Sequence, residues 1–466
     1  MSTAPTVRFG GLEQRGILLG LTAPQLAVAG TGVAIAVAAE YVAGADGLAA
    51  AAPLWVSLLV LGLARIAGRP ALSWLPLLGD WATRRLAGAT RYRRHPLTRH
   101  RELVLNLPSV PGSFPVTIEA TTGAAIVWDR KDSTATAILR VAGPGFLLAN
   151  PDTQTIHVTG WSRFLASLGQ RHDVTRVQII AATTPSTASR ARRWWAEHGL
   201  HDTTAAARIV ADLLADAEVS TTEASCLVAV ATRANVRAPG ATATSSTLTA
   251  VAAAIADAGV AVDGWVTPDQ LRHLVRHSYD PATALPDPTE DERPVMVGPM
   301  GMRESWSHLQ TDTAFHATYW VAQWPRTDVP ASFLQPLILS PGSHRSFSLL
   351  LEPSSHETAM RRVRRAKVEL AADAAQRARL GRLDDASSRA ESDEVARREQ
   401  QLVAGHGDAA FVGLVTVTAP TLDALTAARR ATEADAARAG CELRPLVGQQ
   451  ALAHAAATLP LARRLT

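Results

Sequence analysis

Cysteine and lysine are nearly missing from this 466-residue chain, which holds two of each: Cys226, Cys441, Lys131 and Lys367. Two cysteines far apart in sequence, with no ligands at metal-binding spacing, exclude a disulfide scaffold and a zinc finger. They read as structural thiols in a reducing compartment. The scarcity of lysine bears on nucleotide chemistry, because a P-loop, G-x-x-x-x-G-K-[ST], needs a lysine after glycine to neutralise the terminal phosphate. Lys131 lies in Asp129-Arg130-Lys131-Asp132-Ser133 and Lys367 in a charged helical stretch, and neither follows glycine. Also missing are the H-E-x-x-H pair of zinc proteases and the G-x-S-x-G elbow of serine hydrolases. Gly342-Ser343-His344 sets a hydroxyl beside an imidazole in sequence, but adjacency is not catalytic geometry. His157, His172, His316 and His406 are scattered, and the carboxylates from Asp287 to Glu292 sit in a proline-rich stretch that reads as a solvated loop. No enzymatic activity, cofactor or metal is expected.

Long apolar runs are present, and they are confined to the first seventy residues. The first extends from about Thr22 to Ala43 and the second from about Ala49 to Ile66, with Glu40 as the single acid of the first. Roughly 20 helical residues cross a hydrocarbon core of about 30 Å, so the pair is expected to form a transmembrane hairpin within residues 1–70. Pro24 and Pro53 fall in the first turns, where a missing N–H costs little. The connector, Gly44 to Leu48, has Asp46 and no basic residue. Arg8 and Arg15 precede the hairpin, and Arg65, Arg69, Arg84, Arg85, Arg91, Arg93, Arg94, Arg99 and Arg101 follow it. That asymmetry predicts both termini, and the bulk of the chain, in the cytoplasm. A cleaved signal peptide fits less well, since a second apolar run follows at once. Buried helices of a soluble core are the other alternative. A mean hydropathy of only +0.05 argues against a polytopic transporter.

Residues 71–101 read as a basic interfacial segment. Leu72, Trp74, Leu75, Leu77, Leu78, Trp81 and Leu86 are interleaved with Arg84 and Arg85, as a helix at the headgroup boundary requires. Trp74, Trp81, Arg84, Arg85, Arg91, Arg93 and Arg94 are the candidate membrane-interface residues. Anionic lipid would contribute about 1 kcal/mol for each basic residue near the surface. An arginine-rich arm that neutralises DNA phosphates is the competing reading, and it predicts affinity that falls steeply with salt.

Beyond Arg101 the patterning becomes α+β. Phe114 to Ala120, Ala124 to Asp129, Thr136 to Ala142 and Arg176 to Ala182 are expected strands, with a helix from Trp161 to Gln170, giving a first domain over 102–185. Helices are expected at Thr187 to His198, Thr204 to Glu218, Thr221 to Asn235 and Ser246 to Ala258, making 186–280 a helical region. In it Trp194 and Trp195 read as core or interface residues. A loop at 281–312 leads to a second α+β domain over 313–466. Its expected strands are Phe315 to Gln323, Phe333 to Leu339, Ser346 to Leu351, Ala410 to Thr418 and Cys441 to Leu446. A helical arm at about 356–403, interrupted near Gly381, is inserted into what resembles a ferredoxin-like half sheet. Arg361, Arg362, Arg364 and Arg365 open this arm and are candidate partner-docking residues. Glu391, Asp393, Glu394 and Glu399 balance its far end.

Several stretches resemble an actinobacterial conjugative-transfer family: Glu352-Pro353, Gly381-Arg382, Arg397-Arg398-Glu399 with Gly405-His406, and Val415 to Ala419. Leu443 to Gln450 ahead of Leu459-Pro460-Leu461-Ala462-Arg463, and at the other end Arg8 to Leu12 and Leu19 to Leu26, extend the likeness. Where that family carries glycine around its last arginine, this chain has Ala462 and Arg464. The resemblance implies a membrane-anchored protein similar to the non-catalytic domain of a type IV secretion ATPase. It would be a scaffold docking a separate motor ATPase and channel subunits, with a homo-oligomer compatible. A type VII secretion membrane component, also built as a hairpin followed by a cytoplasmic α+β part, is the alternative. The DNA-binding reading is the other.

Overall fold

Strands dominate the part of the chain that follows the apolar runs. The computed structural model describes residues 5–7, 23–66, 69–94, 104–105, 107–143, 145–186, 195–199, 204–216, 221–234, 243–281, 297–325, 327–340, 344–379, 386–464. The chain divides into two compact units, one of residues Gly11–Thr90 and one of Met1–Gly10 with Arg91–Thr466.

In the smaller unit, α1 (Ala23–Ala50) and α2 (Ala52–Leu63) pack against each other. Gln25 Nε2 donates to the Gly62 carbonyl at 3.0 Å. A Cβ on Gly62 would lie 3.1 Å from Ala29, and one on Gly32 would lie 3.1 Å from the Trp55 carbonyl. Pairing 25 and 29 with 62, and 32 with 55, means that the helices run antiparallel, with glycine allowing the close approach. The reversal is not in a loop at Gly44 to Leu48, as the sequence suggests. It is a break at the one residue Gly44 (φ 62, ψ −149), after which helix resumes. A positive φ is cheap only for glycine, and this one lets a helix fold back without a polar connector. Among the described residues, Pro24–Ala50, taken across the break at Gly44, is the one helical stretch long and apolar enough to cross a membrane, and 6% of its most apolar window is buried. The helix Ala52–Leu63, at 12 residues, is shorter than the expected 49–66 span. This unit ends with α3 (Trp74–Leu86).

The larger unit is organised on an all-antiparallel sheet of fourteen strands among the described residues. Its principal strands in chain order are β1 (Arg91–Arg93), β2 (Phe114–Ile118), β3 (Ala125–Asp129), β4 (Thr134–Ala142), β5 (Val174–Ser186), β6 (Thr221–Arg233) and β7 (Ala261–Trp265). They continue as β8 (Gly301–Glu304), β9 (Leu309–Gln310), β10 (Phe315–Gln323), β11 (His344–Ser354), β12 (Asp408–Ala419) and β13 (Glu442–Pro445). The helices are α4 (Pro151–Gln170), α5 (Ala205–Asp216), α6 (Ala243–Asp257), α7 (Pro268–Tyr279), α8 (His356–Arg379), α9 (Ala386–Val403), α10 (Leu422–Arg438) and α11 (Gln450–Thr458).

Two βαββαβ repeats emerge from the pairing. β4, β5, β6 and β7, with α4 and α6 as crossovers, lie in the spatial order β7-β4-β6-β5; β10, β11, β12 and β13 lie in the order β13-β10-β12-β11. The second strand of each repeat joins the other, β5 to β11, with Ser348 opposite Ile180 at the centre of the ladder. Helices α4, α6 and α10 cover one face, where Phe164, Val230, Ile255, Phe347 and Val417 are buried. α7 and α11 cover the other, over Ile138, Leu227, Leu271 and Ala455.

This pairing corrects the expected helix at Thr221 to Asn235. Leu227, Ala229 and Ala231 fall in the core beneath α7 and α11, while Val228 and Val230 fall in the core beneath α4 and α6. A strand covered on both faces shows no polar alternation, and its alanines imitate a helical run. The repeat that begins at β4 therefore continues past 185 to β7, through the expected helical region. β8 and β9 likewise extend the sheet into the expected loop at 281–312. The expected strand at Phe333 to Leu339 is instead a turn and a short helix, Gln335–Ile338. Pro336, with no N–H to give a ladder, suits a helix start. The arm comprises two helices, α8 and α9, sealed by Ala359, Val363, Val395 and Leu402. The expected break at Gly381 lies outside the described residues.

Candidate membrane and docking surfaces

The expected interface residues divide between the two units. Trp74, Trp81, Arg84 and Arg85 stand on α3, whose Trp74 Nε1 donates to the Ile66 carbonyl at 3.3 Å. Arg84 pairs with Asp80 at 2.8 Å, and the Arg85 guanidinium lies 4.9 Å from the centre of the Trp81 ring. Arg91 and Arg93 are not on that helix. They are the exposed residues of β1, the sheet strand paired with β8, while Arg94 Nη1 donates to the Val297 carbonyl at 3.2 Å. The chain leaves α3 at Leu86 because Gly88 (φ 72) ends it, so the basic run is half helix and half sheet edge.

The arm's four arginines are exposed on α8 but differ in use. Arg361 pairs loosely with Glu357 at 3.8 Å and Arg365 with Glu369 at 3.2 Å, both one helical turn apart. Such solvated pairs contribute only tenths of a kcal/mol each. Arg362 holds the structure together: its guanidinium donates to Ser354 Oγ at 2.8 Å and faces Asp408 at 3.6 Å, clamping the arm to the ends of β11 and β12. Arg398 of α9 reaches Asp408 as well. Arg364 is exposed. Arg361, Arg364 and Arg365 thus face outward along α8.

Sequence reasoning missed two buried polar centres. Arg345 of β11, 1% exposed, pairs with Asp435 of α10 at 2.9 Å and donates to the Leu337 carbonyl at 3.1 Å. Burial pushes the Asp435 carboxyl up, but hydrogen bonds from Arg438 and Arg345 outweigh it and hold the group below the ordinary carboxylate range. The second centre gathers histidines from four elements. His316 of β10 and His454 of α11 have ring centres 4.3 Å apart, and His277 of α7 and His344 of β11 have theirs 5.9 Å apart. His316 Nδ1 meets Thr418 Oγ1 and its Nε2 meets Thr311 Oγ1, each at 2.9 Å. Burial, reinforced by the neighbouring histidines, holds His316 well below its usual value and pushes His344 down to about 3; burial does the same to His454, also to about 3. His316, His344 and His454 are therefore neutral rings at pH 7, and among the described residues no group of three or more His, Cys, Asp or Glu could hold a metal. Lying far apart in sequence, they carried no local signal.

Other singled-out residues fall in place. His157 is partly buried against Gly259, and His172 and His406 are exposed. Burial pushes both thiols, Cys226 and Cys441, up to about 11 and keeps them inert. Trp194, Ser343 and the carboxylates at Asp287 to Glu292 lie outside the described residues.

A third centre ties the two repeats together. Gln178 of β5 donates to Ser348 Oγ at 2.9 Å and to the Ala456 carbonyl at 2.8 Å, and accepts from the Ala462 N–H at 2.7 Å. Arg463 faces Asp129 at 3.5 Å and stacks over Phe114. Ala462, at φ 48, occupies the left-handed region where the resembling family has glycine nearby. The C-terminal segment after α11 is thereby laid from the second repeat across the first.

With this geometry in place, the comparisons give one family. No curated protein matches the chain. Residues 219–321, from the start of β6 to within β10, match the family model of EccE, a type VII ESX secretion system translocon. That match supports a secretion-system membrane component and favours the type VII alternative over the conjugative type IV reading, so the chain is similar over this segment to a type VII translocon protein.

Proposed function

We propose that the protein is a non-catalytic, membrane-anchored component of a type VII-like secretion machine, holding its large sheet unit where a separate motor ATPase and neighbouring translocon subunits assemble. The match of residues 219–321 to the EccE model carries this reading. The fold supports it, because Thr6–Val7, ahead of the apolar helices, pairs with Val329–Pro330 inside the sheet unit. The chain thus leaves that unit before α1 and rejoins it at Arg91, which favours an even number of membrane crossings. Residues 23–43 would rise about 32 Å and the returning helical residues 45–63 about 28 Å at 1.5 Å each, both near bilayer height. On this reading the hairpin crosses twice, turns at Gly44, and leaves both ends of the sheet unit in the cytoplasm. The spatial orders β7-β4-β6-β5 and β13-β10-β12-β11 support two ferredoxin-like repeats, the second bearing the arm as an insertion between its middle strands.

Its contribution would be positional. An anchored platform confines a partner to the membrane and raises its effective concentration at the channel, with no chemistry of its own. The outward arginines Arg361, Arg364 and Arg365 are the proposed docking points on the arm. Full-length protein extracted in mild detergent is expected to carry with it a type VII membrane ATPase. Charge reversal at Arg361, Arg364 and Arg365 should lower that recovery several-fold while leaving extraction unchanged. Recovery with a conjugative motor would restore the type IV reading, and recovery alone would defeat both.

A further inference from the structure

We infer that α3 lies in the headgroup layer of an anionic bilayer, with one leucine face in the lipid. The inference rests on the membrane-anchor reading and names a second, separate contact with the membrane. Its basis is how the structure sorts the apolar residues of α3. Trp74, Leu77 and Trp81 are partly buried. Leu75, Leu78, Ala82 and Leu86, at spacings of three and four, stand together on another stripe and are all exposed, the leucines by 49%, 45% and 89%. Asp80 and Arg84 take the opposite side, while Gly79 and Thr83 flank the stripe. Three exposed leucines in register are costly in water, at about 25 cal/mol for each Å² of apolar surface, and among the described residues nothing covers them.

Two observations select lipid as the occupant. α3 follows the apolar helices α1 and α2 directly in the chain, separated from Leu63 by residues 64–73. Between Asp80 and Glu102 there is no acidic residue, whereas Arg84, Arg85, Arg91, Arg93, Arg94, Arg99 and Arg101 fall in that interval. Arg85 lies beside the leucine stripe and stacks on Trp81, so its apolar stem can stay at the lipid boundary while the guanidinium reaches a phosphate. An apolar stripe bordered by aromatic rings and arginine charge is complementary to acyl chains beneath anionic phosphates.

The test uses full-length protein with Cys226→Ala and Cys441→Ala, reconstituted into phosphatidylcholine vesicles with or without phosphatidylglycerol. A polarity-sensitive fluorophore at Leu78→Cys is expected to shift to the blue in vesicles containing phosphatidylglycerol and to be quenched by lipids brominated near the headgroup. Without phosphatidylglycerol the shift should fall by at least half. At Asp80→Cys, on the far side of the helix, the same label should report water throughout, and Arg84→Glu with Arg85→Glu should abolish the dependence on phosphatidylglycerol. Position 78 reading as water in both lipids overturns the inference. A blue shift at position 78 that brominated lipid does not quench also overturns it, since a protein face would then cover the stripe. Carbonate extraction of the same vesicles separates the two readings: if the chain washes off, the anchor fails, and if it stays while position 78 reads water, only the α3 contact fails.

Discussion

Asp435→Ala is expected to destabilise the sheet unit by about 3–5 kcal/mol, the usual cost of removing one partner of a buried ion pair. Arg345 would keep its charge in a site where its side chain is 1% exposed, with the carbonyls of Pro336 and Leu337 left as its acceptors among the described residues. Its Nε and Nη2 already lack partners there, so no spare acceptor stands ready. The pair joins the edge of the second repeat to its covering helix, and the loss should appear as a large drop in the thermal midpoint of detergent-solubilised protein. Replacing both partners, Arg345→Met with Asp435→Leu, should recover most of the loss, because an apolar pair of similar volume leaves no charge stranded. An Asp435→Ala protein as stable as the parent would show that the carboxylate is not what compensates Arg345.

Mild acid should be the second strong perturbation. His316, His344 and His454 hold folded values far below the ordinary histidine value of about 6.5, which the unfolded chain keeps. The sign follows directly: below about 6.5 the unfolded state binds protons that the folded state refuses. Their contribution is therefore complete at neutral pH and is lost progressively as pH falls from there toward 3. Each withheld proton is worth up to about 1.4 kcal/mol per pH unit, so three give a slope of up to about 4 kcal/mol per unit below pH 6. Thermal midpoints between pH 7.5 and 5 should drop steeply, and His316→Gln, which keeps the contacts to Thr311 and Thr418 without titrating, should flatten the profile. A midpoint independent of pH across that range would mean that the rings protonate without cost and are not sealed in the core. These rings link α7, the sheet and α11, so acid should loosen the helices from the sheet before it disrupts the strands.

How far the sequence could be read depended on whether each signal was local. The apolar runs, the arginine that follows them and the missing P-loop are properties of neighbouring residues. The arm was visible because a long charged stretch with apolar residues at helical spacing has few alternatives. Thr221–Arg233 was misread for the opposite reason: burial on both faces erased the alternation that marks a strand. Family likeness behaved the same way, since short quoted motifs pointed to conjugation while a model covering residues 219–321 pointed to type VII secretion.

What the sequence by itself determined is an apolar amino-terminal segment trailing positive charge, an α+β remainder, and the absence of recognisable catalytic motifs, because each follows from composition within a window. What only the tertiary structure decided is the reversal at Gly44, the joining of two repeats through β5 and β11, and the leucine stripe of α3. It also decided the burial of Arg345 with Asp435 and the meeting of four histidines from four elements. Most of these arise from contacts between residues far apart in the chain, and pairings at that range are fixed by which surfaces bury one another.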